Sequence, residues 1–221
     1  MAKRNLVDVI ITLYNAETIA DKILNSIFNQ TFKDYNLYIL NNGSTDNTLA
    51  MLRKIIGRRN VHILSNSENI GPVKIFRKAK QLVVSDYYLM LSQTKIISED
   101  YLDVLLDLHQ KNSNAAICYG LPSFYNSIGE YLGNGKPEEN FQAKGPSVTK
   151  RYNTVLSSFR YSAPFYGIYK RSIIDRMSDY PFYRGGDHVF CANAALYGEV
   201  IRSDKHLINI YNANERTWEH M

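Results

Sequence analysis

Polar and aromatic side chains stand at the ends of two apolar segments, where each segment meets a helical pattern. Thr12, Tyr14 and Glu17 lie at and just after the end of the first segment, and Asn42 follows the second. Ligands of open α/β sheets bind at the carboxyl ends of the strands, so these side chains predict one wall of a ligand site. Asn42 adds an amide that can face a base or a ribose. It also fits an ordinary turn before a helix, because Asn, Gly, Ser and Asp are common turn residues.

The sequence between residues 7 and 91 alternates between strand-like and helix-like patterns. Short apolar runs predict strands at residues 7–13, 37–40, 61–64 and 87–91. Apolar residues at three- and four-residue steps predict helices at residues 17–29, 47–56 and 72–84. Such alternation is typical of right-handed β-α-β units and predicts an α/β fold with a mostly parallel central sheet. The loops that follow the strands then line one crevice.

The pattern becomes less regular after a predicted helix at residues 99–109 and a predicted strand at residues 115–119. Residues 120–150 are rich in Gly, Pro, Asn, Tyr and Lys, which favours a functional loop that closes over substrates as a lid together with the C-terminal tail. The remaining predictions are a strand at 165–169, a helix at 187–197, and strands at 200–203 and 207–211. We expect a single domain over residues 1–221, in two halves, 1–110 and 111–221. The abrupt end at residue 221 is also compatible with a piece of a longer chain.

Composition narrows the class of protein. An apolar share of 45% and a charged share of 21% are ordinary for a soluble globular protein. No apolar run is long enough to span a bilayer, and the first residues lack the apolar core of a signal peptide. Cys118 and Cys191 both lie in apolar segments and are predicted to be buried free thiols. These features together predict a cytoplasmic location.

The net charge of +5 indicates attraction to anionic partners. Lys and Arg cluster at residues 53–54, 58–59 and 74–80, and each cluster alone is typical of a solvated basic face. The clusters also suit phosphate groups, or peripheral contact with the anionic inner face of a membrane. Nucleic acid is not expected as a partner, because zinc-finger spacing, RNA-binding aromatic signatures and basic repeats are all missing from the sequence. The glycine motifs of dinucleotide and P-loop sites are missing as well.

Seven short segments follow one another in a fixed order along the chain. They are Val-Ile-Ile-Thr-Leu-Tyr-Asn-Ala-Glu at 9–17, Ser-Ile-Phe-Asn-Gln-Thr-Phe at 26–32, Asn-Asn-Gly-Ser-Thr-Asp-Asn-Thr at 41–48, Asn-Ile-Gly at 69–71, Ser-Asp-Tyr-Tyr-Leu at 85–89, Phe-Tyr-Gly-Ile-Tyr-Lys-Arg at 165–171 and Phe-Tyr-Arg-Gly-Gly-Asp at 182–187. Each segment is weak evidence alone, but the ordered set resembles family 2 glycosyltransferases over most of residues 5–200.

The resemblance implies a GT-A fold and an inverting enzyme that moves a sugar from a nucleotide-diphosphate sugar to a glycan or a lipid-linked acceptor. Residues 1–110 would bind the donor, and residues 111–221 the acceptor. Thr12 and Tyr14 fall where the family contacts the nucleoside, and Glu17 falls near the nucleoside and diphosphate. Asp187 falls on the family's general base, the carboxylate that takes the proton of the acceptor hydroxyl. Asp187 also fits a plain helix cap, and that alternative stays open.

Two positions depart from the family pattern. Asn41-Asn42 replaces the usual pair of aspartates, the second of which accepts the uracil N3 hydrogen. An asparagine can accept or donate a hydrogen bond, so the base of the nucleotide could be uracil, cytosine or another. Residues 92–95 read Ser-Gln-Thr-Lys where the family has the carboxylates that hold Mg²⁺ or Mn²⁺, and no Asp-x-Asp occurs in the sequence. The divalent cation that the family implies therefore lacks its usual ligands.

Two hypotheses follow from the second departure. In the first, the enzyme is metal-independent: Gln93 faces the donor, while Lys95, with Lys74, Arg77 or Lys78, balances the leaving diphosphate. Lys74 and Lys78 lie one helical turn apart, which would let them act together. In the second, the chain is a non-catalytic relative that binds a nucleotide or a glycan. The first is favoured because a base-like Asp187 would have no use in an inactive site. A nucleotidyltransferase is disfavoured, since that chemistry depends on metal-binding carboxylates.

Overall fold

The computed structural model describes residues 6–178 and 185–211, so residues 182–184 and the C-terminal tail, both named above, lie outside the described residues. The strands are β1 (Val7–Leu13), β2 (Tyr35–Asn41), β3 (Val61–Ser65), β4 (Tyr87–Ser92), β5 (Lys95–Ile97), β6 (Ala115–Tyr125), β7 (Tyr131–Asn134), β8 (Ile168–Lys170) and β9 (Glu199–Ile210). The α-helices are α1 (Ala20–Phe28), α2 (Thr48–Arg53), α3 (Gly71–Gln81), α4 (Tyr101–Lys111), α5 (Val148–Ser158), α6 (Arg171–Ile174) and α7 (Gly186–Tyr197).

These strands form a mixed sheet in the order β3-β2-β1-β4-β8-β6-β9-β5, and β7 pairs with β6 at its side. The first four strands are joined by parallel pairs only, whereas β5, β7 and β8 pair antiparallel with their neighbours. Thr12 lies opposite Leu40 of β2 and opposite Ser92 of β4. The carboxyl ends of three strands therefore meet at one edge. The prediction of an α/β fold with a mostly parallel sheet is confirmed.

Strand β1 occupies the middle of the parallel part and is buried along its length. Val9, Ile10 and Ile11 are buried in succession, as is typical of a strand covered on both faces. Its one carboxylate, Asp8, is also buried, and its Oδ2 accepts hydrogen bonds from the backbone N–H groups of Val84 (2.6 Å) and Ser85 (2.7 Å). The connection into β4 is thus tied to β1, which fixes where both strands end.

The region 120–150 differs from the prediction of an irregular loop. β6 runs on to Tyr125 and turns back into β7, a 3-10 turn follows at Pro137–Glu139, and α5 begins at Val148. The strand was missed because it is irregular, with shifts in its register against β9 around Leu121. Gly120 is needed there, since a Cβ would lie 2.5 Å from the Cβ of Leu207. Much of the predicted loop is therefore part of the sheet, and its closure over substrates stays a prediction.

Further elements differ from the sequence predictions. β9 is one strand, Glu199–Ile210, and not two, and β8 begins at Ile168, because Ala163–Tyr166 forms a 3-10 turn. Strand β5 and helices α5 and α6 were not predicted. Cys118 and Cys191 are buried and unpaired as predicted, and burial raises the pKa of the Cys118 thiol to about 12. None of the helices within the described ranges is long and apolar enough to cross a membrane.

Candidate active site

A cleft of about 220 Å³ opens at the carboxyl edge of β1, β2 and β4. Thr12, Leu13 and Tyr14 line one side of it, and Ser92 and Gln93 continue that side at the end of β4. Tyr14 is 38% exposed, which leaves its ring accessible to a ligand. The structure thus brings Thr12, Tyr14 and Gln93 together, and their contact with a nucleoside stays a prediction.

The opposite side of the cleft is apolar and ends in two amides. Pro72, Ile75 and Phe76 of α3 form the apolar part, while Asn42 and Asn69 form the polar end. Asn42 is only 6% exposed, and its side chain is held by hydrogen bonds within the protein. An apolar surface that ends in amides suits a planar, polar ring, on which an aromatic side chain such as Tyr14 can stack.

The loop after β1 is held in place by side chains from elsewhere in the chain. The consecutive backbone N–H groups of residues 14, 15, 16 and 17 each donate to a different side chain. The acceptors are, in that order, Gln93 Oε1 (2.7 Å), Ser44 Oγ (3.0 Å), Thr48 Oγ1 (2.8 Å) and Asp46 Oδ2 (3.0 Å). Asn15 has a positive φ of 48°, and its Oδ1 accepts from the backbone N–H of Thr45 (2.8 Å). The wall of the cleft therefore depends on the β2–α2 loop and on Gln93.

Glu17 is part of this attachment. Its Oε2 accepts a hydrogen bond from the backbone N–H of Asn47 at 3.0 Å, while its own N–H donates to Asp46. Glu17 and Asp46 thus join the start of α2 to the loop after β1. The structure gives Glu17 this positioning role, and its predicted contact with the nucleoside or diphosphate stays a prediction.

Gly43 sets how closely the β2–α2 loop approaches the loop between β3 and α3. Its φ is +73°, and a Cβ at this position would lie 2.2 Å from the carbonyl carbon of Glu68 and 2.6 Å from the backbone nitrogen of Asn69. The Gly43→Ala variant should lose about 2–4 kcal/mol of unfolding free energy, because the left-handed backbone and the backbone clash both cost stability. Urea unfolding of the purified variant measures the loss.

Gly57→Ala is the matched control for this prediction. Gly57 also has a positive φ, +89°, but a Cβ there would meet nothing within 4 Å. Only the strain of the left-handed backbone applies here, so we expect a loss of about 1–2 kcal/mol of unfolding free energy. Equal losses for the two variants would contradict the close packing of Gly43 against the β3–α3 loop.

A second group of side chains lies beyond Ser92 and contains two charged candidates. The Ser92 Oγ lies 3.3 Å from the Tyr166 hydroxyl and 3.3 Å from the Thr94 Oγ1. The Lys95 Nζ donates to Thr94 Oγ1 at 2.6 Å and lies 4.6 Å from the centre of the Tyr166 ring. Burial raises the pKa of Tyr166 to about 12, and the negative charge of Asp187 acts in the same direction. We call Lys95, Tyr166 and Asp187 the charged centre.

Lys95 is a nearly buried cation, with 6% of its surface exposed. Burial lowers its pKa to about 8, and the Asp187 carboxylate opposes that shift. The backbone of Lys95 is fixed by the pairing of β5 with β9, where it lies opposite Ile210. At neutral pH the charged centre therefore holds an ammonium group, and the nearby Asp187 carboxylate favours its charged form.

Asp187 lies in the first turn of α7, after Gly185, whose φ of 84° allows the chain to turn into the helix. The Asp187 Oδ1 accepts from the backbone N–H of His188 at 3.0 Å, so one oxygen does satisfy a helix N–H. The other oxygen, Oδ2, bonds no other residue in the described ranges. The start of α7 is held by His188, whose Nε2 lies 3.1 Å from the Val155 carbonyl and whose ring stacks on Phe159. Asp187 therefore lies inside the first turn, behind the N-cap Gly185, and its role as general base stays a prediction.

The basic residues of α3 are not arranged as the metal-independent hypothesis expects of Lys74 and Lys78. Lys74 is exposed and does not line the cleft, and Lys78 Nζ donates to Asn66 Oδ1 at 2.6 Å. Lys78 is thus engaged in the polar end of the cleft instead of acting with Lys74. The contact of Lys74 with a diphosphate stays a prediction.

The divalent cation implied by the family resemblance does not fit the residues present. Mg²⁺ and Mn²⁺ prefer oxygen ligands, above all carboxylates, whereas residues 92–95 offer two hydroxyls, an amide and the buried Lys95 ammonium. In the part of the chain that the structure describes, no three His, Cys, Asp or Glu side chains are grouped to hold a metal ion. Lys95 places a buried ammonium group at this position, and its role in place of a metal ion stays a prediction.

Sequence reasoning did not single out Asn69 as a partner of Asn42, or Ser92 as the link to Tyr166. Asn69 belongs to the Asn-Ile-Gly segment at residues 69–71, one of the segments that resemble the family, and that resemblance could have indicated a role at the site. Ser92 and Tyr166 are 74 residues apart, and only the pairing of β4 with β8 brings them together. That pairing has no local signature in the sequence.

Comparison with curated proteins finds relatives of part of the chain. An uncharacterized glycosyltransferase of Haemophilus influenzae is 30% identical over 111 residues, which is 49% of this chain and 34% of that protein. Chondroitin synthase of Pasteurella multocida is 28% identical over 131 residues, which is 59% of this chain and 14% of that protein. The chain therefore corresponds to about a third or less of the length of these relatives.

Comparison with solved structures confirms the GT-A fold. Staphylococcus aureus TarS 1-349 in complex with UDP-GlcNAc matches with a TM-score of 0.74 and 19% identity, over 98% of this chain and 61% of that one. The mannosyltransferase PcManGT from Pyrobaculum calidifontis, in complex with GDP-Man and Mn²⁺, matches with a TM-score of 0.66 and 14% identity, over 97% and 59%. The model of the family described as Glycosyl transferase family 2 matches residues 8–178. Because that match covers most of the sequence, the chain belongs to glycosyl transferase family 2.

Proposed function

We propose that this chain is a glycosyltransferase domain that moves a sugar from a nucleotide-diphosphate sugar to a hydroxyl group of a glycan or a lipid-linked acceptor, with inversion at the anomeric carbon. The observation that carries the proposal is the continuity of the cleft with the charged centre. Ser92 lines the cleft and contacts Tyr166 of the charged centre. A base between Tyr14 and α3 would direct the diphosphate of its nucleotide toward Ser92 and Lys95.

The charged centre supplies the groups that an inverting transfer requires. The acceptor oxygen attacks the anomeric carbon, Asp187 takes the proton of the acceptor hydroxyl, and the carbon–oxygen bond to the diphosphate breaks. The electron pair of that bond stays with the diphosphate, and the ammonium of Lys95 balances the added negative charge. A cation in a buried position acts more strongly than one in water, because little solvent screens it.

The comparisons support nucleotide-sugar chemistry for the proposal. Chondroitin synthase is a relative in sequence, and TarS with UDP-GlcNAc is a neighbour in fold. If the acceptor is lipid-linked, the exposed basic residues Arg53, Lys54 and Arg58 would lie toward an anionic membrane surface, together with Ile56, which is 66% exposed.

The second candidate function is a binding module with the same fold and no activity. The observation that favours it is the replacement of the family's metal-binding carboxylates by Ser-Gln-Thr-Lys at residues 92–95. Such a module would bind a nucleotide in the cleft and release no sugar. The position of Asp187 near Lys95 favours the enzyme, since an inactive site would need neither.

Donor hydrolysis over a panel of cytidine, uridine, thymidine, guanosine and adenosine diphosphate sugars tests the proposal. We expect nucleotide release that persists in excess EDTA, because Lys95 and not a metal ion balances the diphosphate. The anomer first formed, read by proton NMR, should be inverted. Adding anionic or neutral vesicles to the same assay tests the membrane surface.

Each outcome of this assay has a distinct meaning. Release that stops in EDTA and returns with Mn²⁺ contradicts the metal-independent reaction but leaves the transferase in place. Binding of a nucleotide without any release supports the binding module. Neither binding nor hydrolysis across the panel contradicts both candidate functions.

A further inference from the structure

The polar end of the cleft is a closed network of hydrogen bonds. The Asn42 Oδ1 accepts from the backbone N–H of Ile70 at 3.2 Å and from the Nδ2 of Asn66 at 2.9 Å. The Asn42 Nδ2 donates to the Oδ1 of Asn69 at 2.9 Å. Asn42 and Asn69 both line the cleft, so their remaining hydrogen-bonding capacity decides what this end can bind.

The orientation of each amide is fixed by a group that can only donate. The N–H of Ile70 faces the Asn42 oxygen, the N–H of Gly71 donates to the Asn69 Oδ1 at 2.9 Å, and the Lys78 ammonium donates to the Asn66 Oδ1 at 2.6 Å. Exchanging oxygen and nitrogen in any of the three amides would set one N–H group against another. The positions of oxygen and nitrogen are therefore fixed in each of the three amides by its own donor.

This network uses up the acceptors at the polar end. A carbonyl oxygen accepts through two lone pairs, and the side-chain oxygens of Asn42 and Asn69 each already accept two hydrogen bonds. Among the described residues, one amide hydrogen of Asn42 and both of Asn69 have no acceptor. The two amides at the polar end of the cleft consequently offer hydrogen-bond donors and no free acceptor to a ligand.

We propose that these amide hydrogens read the base of the donor and select cytosine, so that the substrate is a cytidine-diphosphate derivative; this rests on the proposed function. Cytosine carries two adjacent acceptors, O2 and N3, which match donors from Asn42 and Asn69. Uracil and thymine place an N3–H, and guanine an N1–H, where the Asn42 and Asn69 amides present donors. Two N–H groups set against each other are penalised because neither finds an acceptor, which is how such a site rejects the wrong base.

Calorimetric titration of the whole chain with CDP, UDP, dTDP, GDP and ADP tests the selection without any need for turnover. CDP should bind about tenfold tighter than UDP or dTDP, the loss expected when one N–H of the base faces a donor instead of an acceptor. UDP binding as tightly as CDP, or more tightly, would overturn the inference while leaving the proposed function intact. If no nucleotide of the panel binds, the proposed function itself fails.

Asn42→Asp tests the residue responsible. The carboxylate keeps acceptors for Asn66 and Ile70 but removes both amide hydrogens, including the one that Asn69 Oδ1 accepts, and its second oxygen can accept the N3–H of uracil. The ratio of CDP to UDP affinity should fall about tenfold. Asn41→Asp is the matched control, because it makes the same change one residue earlier. The Asn41 side chain contacts Ser65 and Ser44 and does not line the cleft, so this variant should leave the ratio of CDP to UDP affinity unchanged.

An unchanged ratio in Asn42→Asp would overturn the assignment of Asn42. Equal falls in both variants would do the same, because they would trace the effect to charge alone. Near-UV circular dichroism establishes that each variant is folded, and the titration of the unmodified chain decides the base preference independently of either variant.

Discussion

The Asp187→Asn variant is expected to lower the rate of sugar transfer about 10²–10⁴-fold, the usual contribution of a general base. An asparagine keeps the size of the side chain and can still accept the N–H of His188, so the start of α7 stays formed. It cannot take the proton of an acceptor hydroxyl. Nucleotide release from the donor, followed with the acceptor or with water, measures the loss.

The control for this variant is Asp107→Asn, the same chemical change on the exposed face of α4. Asp107 pairs with Lys111 one turn later, at 2.7 Å, and such surface pairs contribute little. Its transfer rate should equal that of the unmodified chain. Full activity in Asp187→Asn would show that Asp187 is a helix cap and that another group takes the proton.

The Lys95→Met variant is expected to lose about 10²–10³-fold in rate, as is typical when one preorganised donor to a developing negative charge is removed. Methionine fills a similar volume against the Tyr166 ring without a charge. Burial disfavours the charge of Lys95 more than the Asp187 carboxylate favours it, so loss of the charge should leave the melting temperature constant or raise it. A lost rate at constant stability separates a role in the reaction from a role in folding.

The same lysine gives the reaction a pH dependence. Its pKa in the free protein is about 8, because burial disfavours the charged form. The ammonium is therefore present below about pH 8 and lost above it, and kcat/KM should decline as the pH rises through that value. Lys95→Arg keeps a positive charge at every accessible pH and should remove the decline. Should Lys95→Met show the same decline as the unmodified chain, the pH dependence belongs to another group.

The N-terminal half of the fold could be predicted because its signals are local. Strands β1 to β4 are apolar runs of β-forming residues, and each of the first three is followed by a periodic helix, so the sequence specifies type, order and parallel direction together. The C-terminal half carries weaker signals. β6 contains Gly120 and Pro122, and β9 contains the exposed polar residues Asp204, Lys205 and His206, so neither reads as one continuous strand.

The candidate site was predictable in its position and less so in its contacts. The carboxyl edge of the sheet placed Thr12, Tyr14 and Asn42 in one crevice, and the structure has them there. The state of Lys95 was not predictable, since its burial depends on the pairing of β5 with β9, more than a hundred residues later. The saturated oxygen of Asn42 likewise depends on donors from Asn66 and Ile70 in another loop.

The attachment of residues 14–17 to side chains of other loops has a consequence for the thermodynamics of binding. A loop that orders only when its ligand arrives loses conformational entropy at that moment, and the observed affinity falls by that amount. Here four successive amides are already immobilised by Gln93, Ser44, Thr48 and Asp46 in the free protein. The entropy of this wall is lost during folding, and more of the contact energy with a nucleotide is therefore available as affinity.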